Sequence, residues 1–349
     1  MSGAPSDPID PAPKHLLTTS AHDYSITAIA FFPGGERFAT CSYDSTPEGQ
    51  LHCRYEDGKR IMSGDSDARL CVWEVETHDL LEQWTYSESE IHSIALSPND
   101  ELVASGSDDG TILIREANNG GAVGHAIETD TEVELSVYLL CFSPNRERIA
   151  SASGSLTAVG HEDSTVQVFD IATGDLLGPL QGHTDHISSM LWSVDGRHIF
   201  SGSWDRTIRK WNSETGGAVG EPWRGHTRFV YSLAISPDGT RIASSSNDKT
   251  VRFWNTDSRE PAEKPLRLEH GAILAAVAFS PTGEFVVTGG QNGTFYVWRI
   301  PWWDETQKQQ PESEASFLDL PAVTRHPVNG FDLDFFNVTH SRRQSPESP

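Results

Sequence analysis

One pattern recurs at a near-fixed period along this chain, and it limits the fold more than any other feature. A turn of the type S-P-D-G is followed by a stretch R/E-x-I-A-S-x-S and then by D-x-T-hydrophobic-x-x-W. The turn reads SPND at 97–100, SPNR at 143–146, SVDG at 193–196, SPDG at 236–239 and SPTG at 280–283, with an earlier copy, FPGG, at 32–35. Its second positions, Pro98, Pro144, Val194, Pro237 and Pro281, lie 46, 50, 43 and 44 residues apart. Self-similarity at such a period marks supersecondary units that stack on one another. Segments such as SLAIS, RIASSS and TVRFW alternate as half-buried strands do, and the S-P-D-G pieces between them are tight turns. The chain therefore reads as all-β, with four short strands per unit. Each unit buries its faces only against its neighbours, so the units must stack around an axis.

Composition narrows the partners. The 26 basic and 50 acidic side chains of the 349 residues give a formal net charge of −24. Long-range repulsion from that charge argues against direct binding of nucleic acid or of an anionic membrane surface. The longest apolar run, Ala272 to Phe279, has eight residues, against the roughly 20 a spanning helix requires. The N-terminus, MSGAPSDPIDPAPK, lacks a basic start followed by an apolar stretch, so no secretory signal is expected. Cys41, Cys53, Cys71 and Cys141 form no C-x-x-C, a usage that fits reduced thiols and a cytoplasmic or nuclear location.

The best unit opens with Gly182-His183, continues through Ser201 and Asp205, and closes with Trp211-Asn212. The next repeats this as Gly225-His226, Ser244, Asp248 and Trp254-Asn255. With these residues in register the chain resembles the WD-repeat (WD40) β-propellers, in the near-consensus style of fungal members, over about 14–301. The resemblance implies a buried hydrogen-bonded tetrad in each complete repeat, in which histidine bonds aspartate and serine, and serine bonds tryptophan. The final repeat offers His270, Thr288, Asn292 and Trp298 for these roles. The second keeps Ser63, Asp67 and Trp73 without a matching histidine, the third has Arg115 at the tryptophan position, and the fourth has Asp163 with Phe169. Uneven tetrads predict uneven stability, highest around 180–300 and lowest near 14–60.

The first repeat is irregular. Pro33 and Pro98 are 65 positions apart, too many for one unit and too few for two. The segments 35–46 and 58–73 each carry a second-strand signal, and QLHCRYEDG at 50–58 resembles a degraded first strand with its turn. Seven repeats, the first lacking its third and fourth strands, are favoured; six with a long insertion is the alternative. A half-unit exposes an unpaired edge. In the family an N-terminal segment completes the last blade and removes the ring's edge, so Leu16 to Thr19 is expected to pair with the strand around Thr294 to Trp298. Residues 1–13 and 302–349 lack the repeat. Rich in Pro, Ser and acidic residues, they are expected to be disordered tails. Within the second, FLDLPA (317–322) and FDLDFFNV (331–338) mix aromatics with aspartates, and Ser345 and Ser348 precede prolines.

No G-x-S-x-G, P-loop, G-x-G-x-x-G or H-E-x-x-H motif occurs, so no enzyme, cofactor or metal is expected. His161-Glu162-Asp163 reads as a solvated loop with the repeat aspartate. What the resemblance implies is a non-enzymatic scaffold that binds a protein or peptide partner within a multiprotein complex. Two alternatives stand beside it: a substrate-recognition subunit of a ubiquitin ligase, weakened by the missing W-D-x-R pattern, and a degenerate propeller without a stable partner. In the family the loop between second and third strands shares the narrow top face with the loop that enters each repeat. The residues those loops offer for binding are Tyr24, Asp108, His186, Trp204, Arg228, Phe229, Asn247 and Gln291, with Trp204 as an exposed aromatic anchor; the alternative is that Phe229 or Trp204 packs against a neighbouring blade. Charge is uneven across repeats: residues 82–135 hold twelve acidic residues and one basic, and 197–252 hold nine basic and five acidic.

Overall fold

The computed structural model describes residues 17–20, 22–32, 35, 37–42, 51–54, 57–64, 68–77, 79–85, 89–129, 136–154, 165–261, 265–267, 272–300, 302, 327–328, 331–332 and 334–337. Among them every regular element is a strand. Seven antiparallel sheets of three or four strands follow one another along the chain, numbered here 1 to 7 with strands a to d from the inside outwards. Sheet 1 holds Ile26–Phe31 and Arg37–Ser42; sheet 2 runs through Leu51–Arg54, Arg60–Gly64, Arg69–Glu74 and Leu80–Thr85. Sheet 3 is Ile91–Leu96, Leu102–Ser107, Thr111–Glu116 and Ile127–Glu128, and sheet 4 is Ser136–Phe142, Arg148–Gly154, Val166–Asp170 and Leu176–Leu180. Sheet 5 is Ile187–Trp192, His198–Ser203, Thr207–Asn212 and Trp223–Arg224; sheet 6 is Val230–Ile235, Arg241–Ser246, Thr250–Asn255 and Leu266–Arg267. Sheet 7 is Leu274–Phe279, Phe285–Gly290 and Thr294–Arg299, with Leu17–Ser20 as its outermost strand.

The a strands pack in sequence order, and strand a of sheet 7 packs against strand a of sheet 1, so the sheets form a closed ring, a β-propeller. The core is a set of layers between neighbouring sheets. Ala243, Val251 and Phe253 of sheet 6 meet Leu274, Val277 and Trp298 of sheet 7. Ile26, Phe31 and Phe38 of sheet 1 meet Val287, Phe295 and Val297 of sheet 7. Ala39 faces Ile61 and Trp73 across the sheet 1–2 boundary. The inner strands place side chains on two such faces, while the outermost strands Leu80–Thr85 and Leu176–Leu180 are largely exposed, so the core of the described residues is divided into layers. The turn glycines repeat the ring order: a Cβ on Gly196, Gly283 or Gly35 would lie 3.6, 3.5 or 3.4 Å from the Pro144, Pro237 or Pro281 ring of the preceding turn.

The N-terminal segment pairs as expected with the last repeat, in the register Leu17↔Val297, Thr18↔Tyr296, Thr19↔Phe295 and Ser20↔Thr294. A backbone bond from His22 N to Gly293 O, 3.0 Å, continues the latch. Pro327–Val328 pairs with Phe331–Asp332, and Asp334–Asn337 pairs with strand b of sheet 1. Among the described residues no strand of its own follows strand b of sheet 1, which leaves its outer backbone groups open to such pairing. The insertion at 154–162 falls mostly outside the described residues.

Candidate functional site

The tetrads place the top face. Trp211 Nε1 donates to Ser201 Oγ (2.8 Å), Ser201 pairs with His183 Nε2 (2.8 Å), and His183 Nδ1 pairs with Asp205 Oδ2 (2.7 Å). Trp254, Ser244, His226 and Asp248 repeat the chain at 2.8, 2.7 and 2.9 Å. A neutral histidine satisfies both contacts if serine donates to Nε2 and Nδ1–H donates to the carboxylate. Burial alone would raise Asp205 and Asp248, but hydrogen bonds from His183 and Thr207, and from His226 and Thr250, outweigh it and hold both carboxyls well below the usual range. Trp298 Nε1 donates to Thr288 at 3.0 Å and Trp73 Nε1 to Ser63 at 2.9 Å. Asn292 approaches Tyr296 OH at 3.4 Å; His270 and Asp67 lie outside the described residues.

Each tetrad aspartate follows a turn residue whose backbone is fixed from across the sheet. Asp108, Trp204, Asn247 and Gln291 each donate their N–H to the residue just before strand a, namely Glu90, His186, Phe229 and Ile273, at 2.9–3.0 Å. This repeated bond brings the b–c turn and the entry loop of one sheet together at one rim. It explains why the candidates taken from the two loop types share a face.

Five rings form a line across that face. Trp204 of sheet 5 stacks on Phe229 at the entry to sheet 6 (centroids 5.2 Å, planes 15° apart) and meets His186 edge-on at 4.8 Å. His186 meets Tyr138 of sheet 4 at 6.1 Å, and Tyr138 meets His92 of sheet 3 at 4.9 Å. Trp204 is thus half-buried between two rings rather than the free-standing exposed anchor its turn position suggested, because Phe229 of the next repeat reaches over it. Its Nε1 is buried without a hydrogen-bond partner, and Phe229 stays 37% exposed. Burial pushes the His186 imidazole down, against the pull of Asp185, so the middle of the line is uncharged at neutral pH.

The two ends differ in charge. At sheet 3, His92 Nε2 approaches Asp108 Oδ1 at 3.1 Å and Ser136 Oγ donates to the same oxygen at 2.5 Å. The Ser136 bond, with that of His92, holds the Asp108 carboxyl below its ordinary range. Exposed Glu90 and Asp109 flank it. At sheets 5 and 6, exposed Arg206, Arg228 and Lys249 occupy the equivalent loops. Asn247 Nδ2 donates to Tyr231 OH at 3.0 Å. Tyr24 is 61% exposed; with Gln291 it belongs to the loops of sheets 1 and 7, outside the run of ring contacts.

Tyr138, His92 and Tyr231 escaped the sequence reading. Each is the strand-a residue passed over where the pairing shifts, between Ile91 and Ser93, Val137 and Leu139, and Val230 and Ser232. Such a bulge re-aims the extra side chain. The signal was an aromatic or histidine at a constant offset after the entry loop, in a segment that reads as ordinary strand. Among the described residues no group of three or more His, Cys, Asp or Glu could hold a metal ion; His161, Glu162 and Asp163 lie outside them.

The family model described as "WD domain, G-beta repeat" matches residues 13–46, 80–115, 174–212, 219–255 and 263–299, just over half of the chain. The chain belongs to the WD40 repeat family. Among curated relatives of this WD40 chain, the nuclear distribution protein PAC1 of Coccidioides posadasii is 25% identical over 208 residues, 57% of this chain and 41% of the relative. The small ribosomal subunit protein RACK1y of Oryza sativa subsp. japonica is 30% identical over 158 residues, 43% of each. Echinoderm microtubule-associated protein-like 4 of Mus musculus is 29% identical over 161 residues, 45% of this chain and 15% of the relative. The chain thus spans less than half the length of these relatives.

Proposed function

We propose that this protein is a non-enzymatic interaction scaffold that holds an extended segment of a partner protein across the top face of sheets 3 to 6. The observation that carries this reading is the unbroken line His92–Tyr138–His186–Trp204–Phe229, acidic at one end and basic at the other. Packed rings present a rigid apolar surface at low entropy cost, and such aromatics are enriched among residues that dominate binding energy. Charges at the two ends select direction: a basic stretch of the partner lies by Glu90, Asp108 and Asp109, and an acidic one by Arg206, Arg228 and Lys249. Two relatives, one named as a ribosomal subunit protein and one as microtubule-associated-protein-like, support a role within a multiprotein complex. The four cysteines, none in a C-x-x-C pattern, support a cytoplasmic or nuclear setting.

Affinity purification tests this. Wild type is compared with Tyr138→Ala, with Trp204→Ala combined with Arg228→Glu, and with Val194→Glu, an exposed residue in the a–b turn of sheet 5. Partners recovered with wild type and Val194→Glu but lost from both top-face variants, each melting like wild type, are the expected result. Loss of one well-placed anchor should weaken binding of the recovered partner at least about tenfold, or 1.4 kcal/mol. Unchanged partner lists would overturn the assignment, and recovery of a cullin with its adaptor would replace it with the ligase-receptor reading.

A further inference from the structure

Sheet 1 is the one sheet of the ring whose third strand comes from far along the chain. In sheets 2 to 7, strand c follows strand b after a short turn in most repeats, as Thr250 follows Ser246, and always before the chain enters the next sheet. After Ser42 the chain instead reaches Leu51, strand a of sheet 2, through eight intervening residues. The outer edge of Arg37–Ser42 is taken by Asp334–Asn337, in the register Arg37↔Asn337, Phe38↔Phe336, Ala39↔Phe335 and Thr40↔Asp334.

That register is the one the intact repeats use. The first three residues of strand b face the last three of strand c in sheet 6 (Arg241↔Asn255, Ile242↔Trp254, Ala243↔Phe253), and sheet 5 pairs His198↔Asn212 and Ile199↔Trp211. Phe336 therefore stands at the tryptophan position and Asn337 at the position of Asn212 and Asn255. The residue types agree. D-L-D-F-F-N at 332–337 runs parallel to T-V-R-F-W-N at 250–255 and T-I-R-K-W-N at 207–212, with an apolar second residue, an aromatic fifth and a closing asparagine. An aromatic other than tryptophan at that position has a precedent in Phe169, which faces Ile149 in sheet 4. On strand b, Thr40 already holds the serine role, with His22 Nε2 at 2.8 Å from its Oγ1.

We propose that the C-terminal strand Asp334–Asn337 is the displaced third strand of the first repeat, and that the chain closes its ring with two latches. The N-terminal strand completes sheet 7, and the C-terminal strand completes sheet 1, its neighbour in the ring. Each terminal strand covers an edge that no other described strand pairs. Register and residue types carry this latch independently of the top-face reading.

Hydrogen exchange on the full chain tests the latch. Replacing Phe335 and Phe336 together by proline removes two N–H groups from the paired segment. Exchange of the amides in 37–42 should then accelerate at least tenfold, with those of sheets 4 to 6 unchanged. Unchanged protection of 37–42 would overturn the proposal. If the variant loses protection throughout, cross-linking decides. Ala39→Cys with Phe335→Cys, opposite in register, should form a disulfide within one molecule, and Ala39→Cys with Asn337→Cys should not, both in a Cys41→Ser background. No disulfide in the first pair, or one that joins two molecules, would sink the intramolecular latch. A gain-of-function variant completes the set. Phe336→Trp offers Thr40 an indole N–H, as Trp211 offers one to Ser201, and should raise the melting temperature. A lower one would show that 336 is not a tryptophan position.

Discussion

Four serines occupy the same position in four repeats and share the same burial, yet the structure separates them into two pairs. Ser105, Ser151, Ser201 and Ser244 are all 0% exposed. Ser201 and Ser244 join a histidine and a tryptophan, whereas the hydroxyls of Ser105 and Ser151 have no partner, because Arg115 and Phe169 replace the tryptophan. Serine to alanine therefore removes the same atom from the same environment with different consequences. In Ser201→Ala the Trp211 N–H and the His183 Nε2 lose their partner while buried. Each such group costs about 1–3 kcal/mol, and partial relaxation leaves an expected loss of about 3 kcal/mol. In Ser105→Ala and Ser151→Ala an unsatisfied hydroxyl disappears, for an effect between zero and about 1 kcal/mol of stabilisation. With a urea m-value of roughly 3 kcal/mol/M, Ser201→Ala should lower the midpoint by about 1 M, and the other two should hold or raise it. Equal losses in all three would refute the claim that partners rather than burial decide the contribution of this position.

Other outcomes follow from the same structure. Burial pushes His226 and His186 down, so below about pH 6.5 the unfolded chain takes up protons that the folded chain does not. Stability should then fall on acidification, by up to about 1.4 kcal/mol per pH unit for each histidine. Asp205 and Asp248, held low against the opposing effect of burial, add a second loss that starts below about pH 4. A urea midpoint that stays flat or rises between pH 7.5 and 5 would contradict this, and His186→Phe should reduce the slope of the first window. Gly293 has φ +73°, and a Cβ there would lie 1.9 Å from the His22 carbonyl oxygen. Gly293→Ala should free the N-terminal latch and expose residues near 17–22 to protease. Gly283→Ala, at φ +76° with its nearest neighbour 3.5 Å away, should cost only the left-handed backbone term of about 1–2 kcal/mol. Equal protease sensitivity of the two would argue against a steric latch.

Local chemistry determined much of this protein. Turn residues at a period of 43 to 50, alternating strands and tetrad residues in register are enough to specify the repeat and its four strands, whereas the N-terminal closure of Leu17 on Val297 was expected from the family resemblance alone. The repeat and its strands depend on contacts within one repeat or with the next, so neighbouring sequence encodes them. The Trp204–Phe229 stack and the Tyr138–His186 contact were not legible. Both join residues of adjacent sheets: Trp204, Phe229 and His186 stand on loops, and Tyr138 stands at a strand bulge, where one inserted residue redirects a side chain without altering the apolar–polar pattern. The third strand of sheet 1 lay further out of reach, because its two halves stand almost 300 residues apart. FDLDFFNV stood in view as an aromatic segment in an acidic tail, but only the bare edge of Arg37–Ser42 gives it a register. Hydrogen bonding across an open sheet edge has no sequence spacing to advertise it, and the closed ring is what brings the two ends of the chain to adjacent sheets.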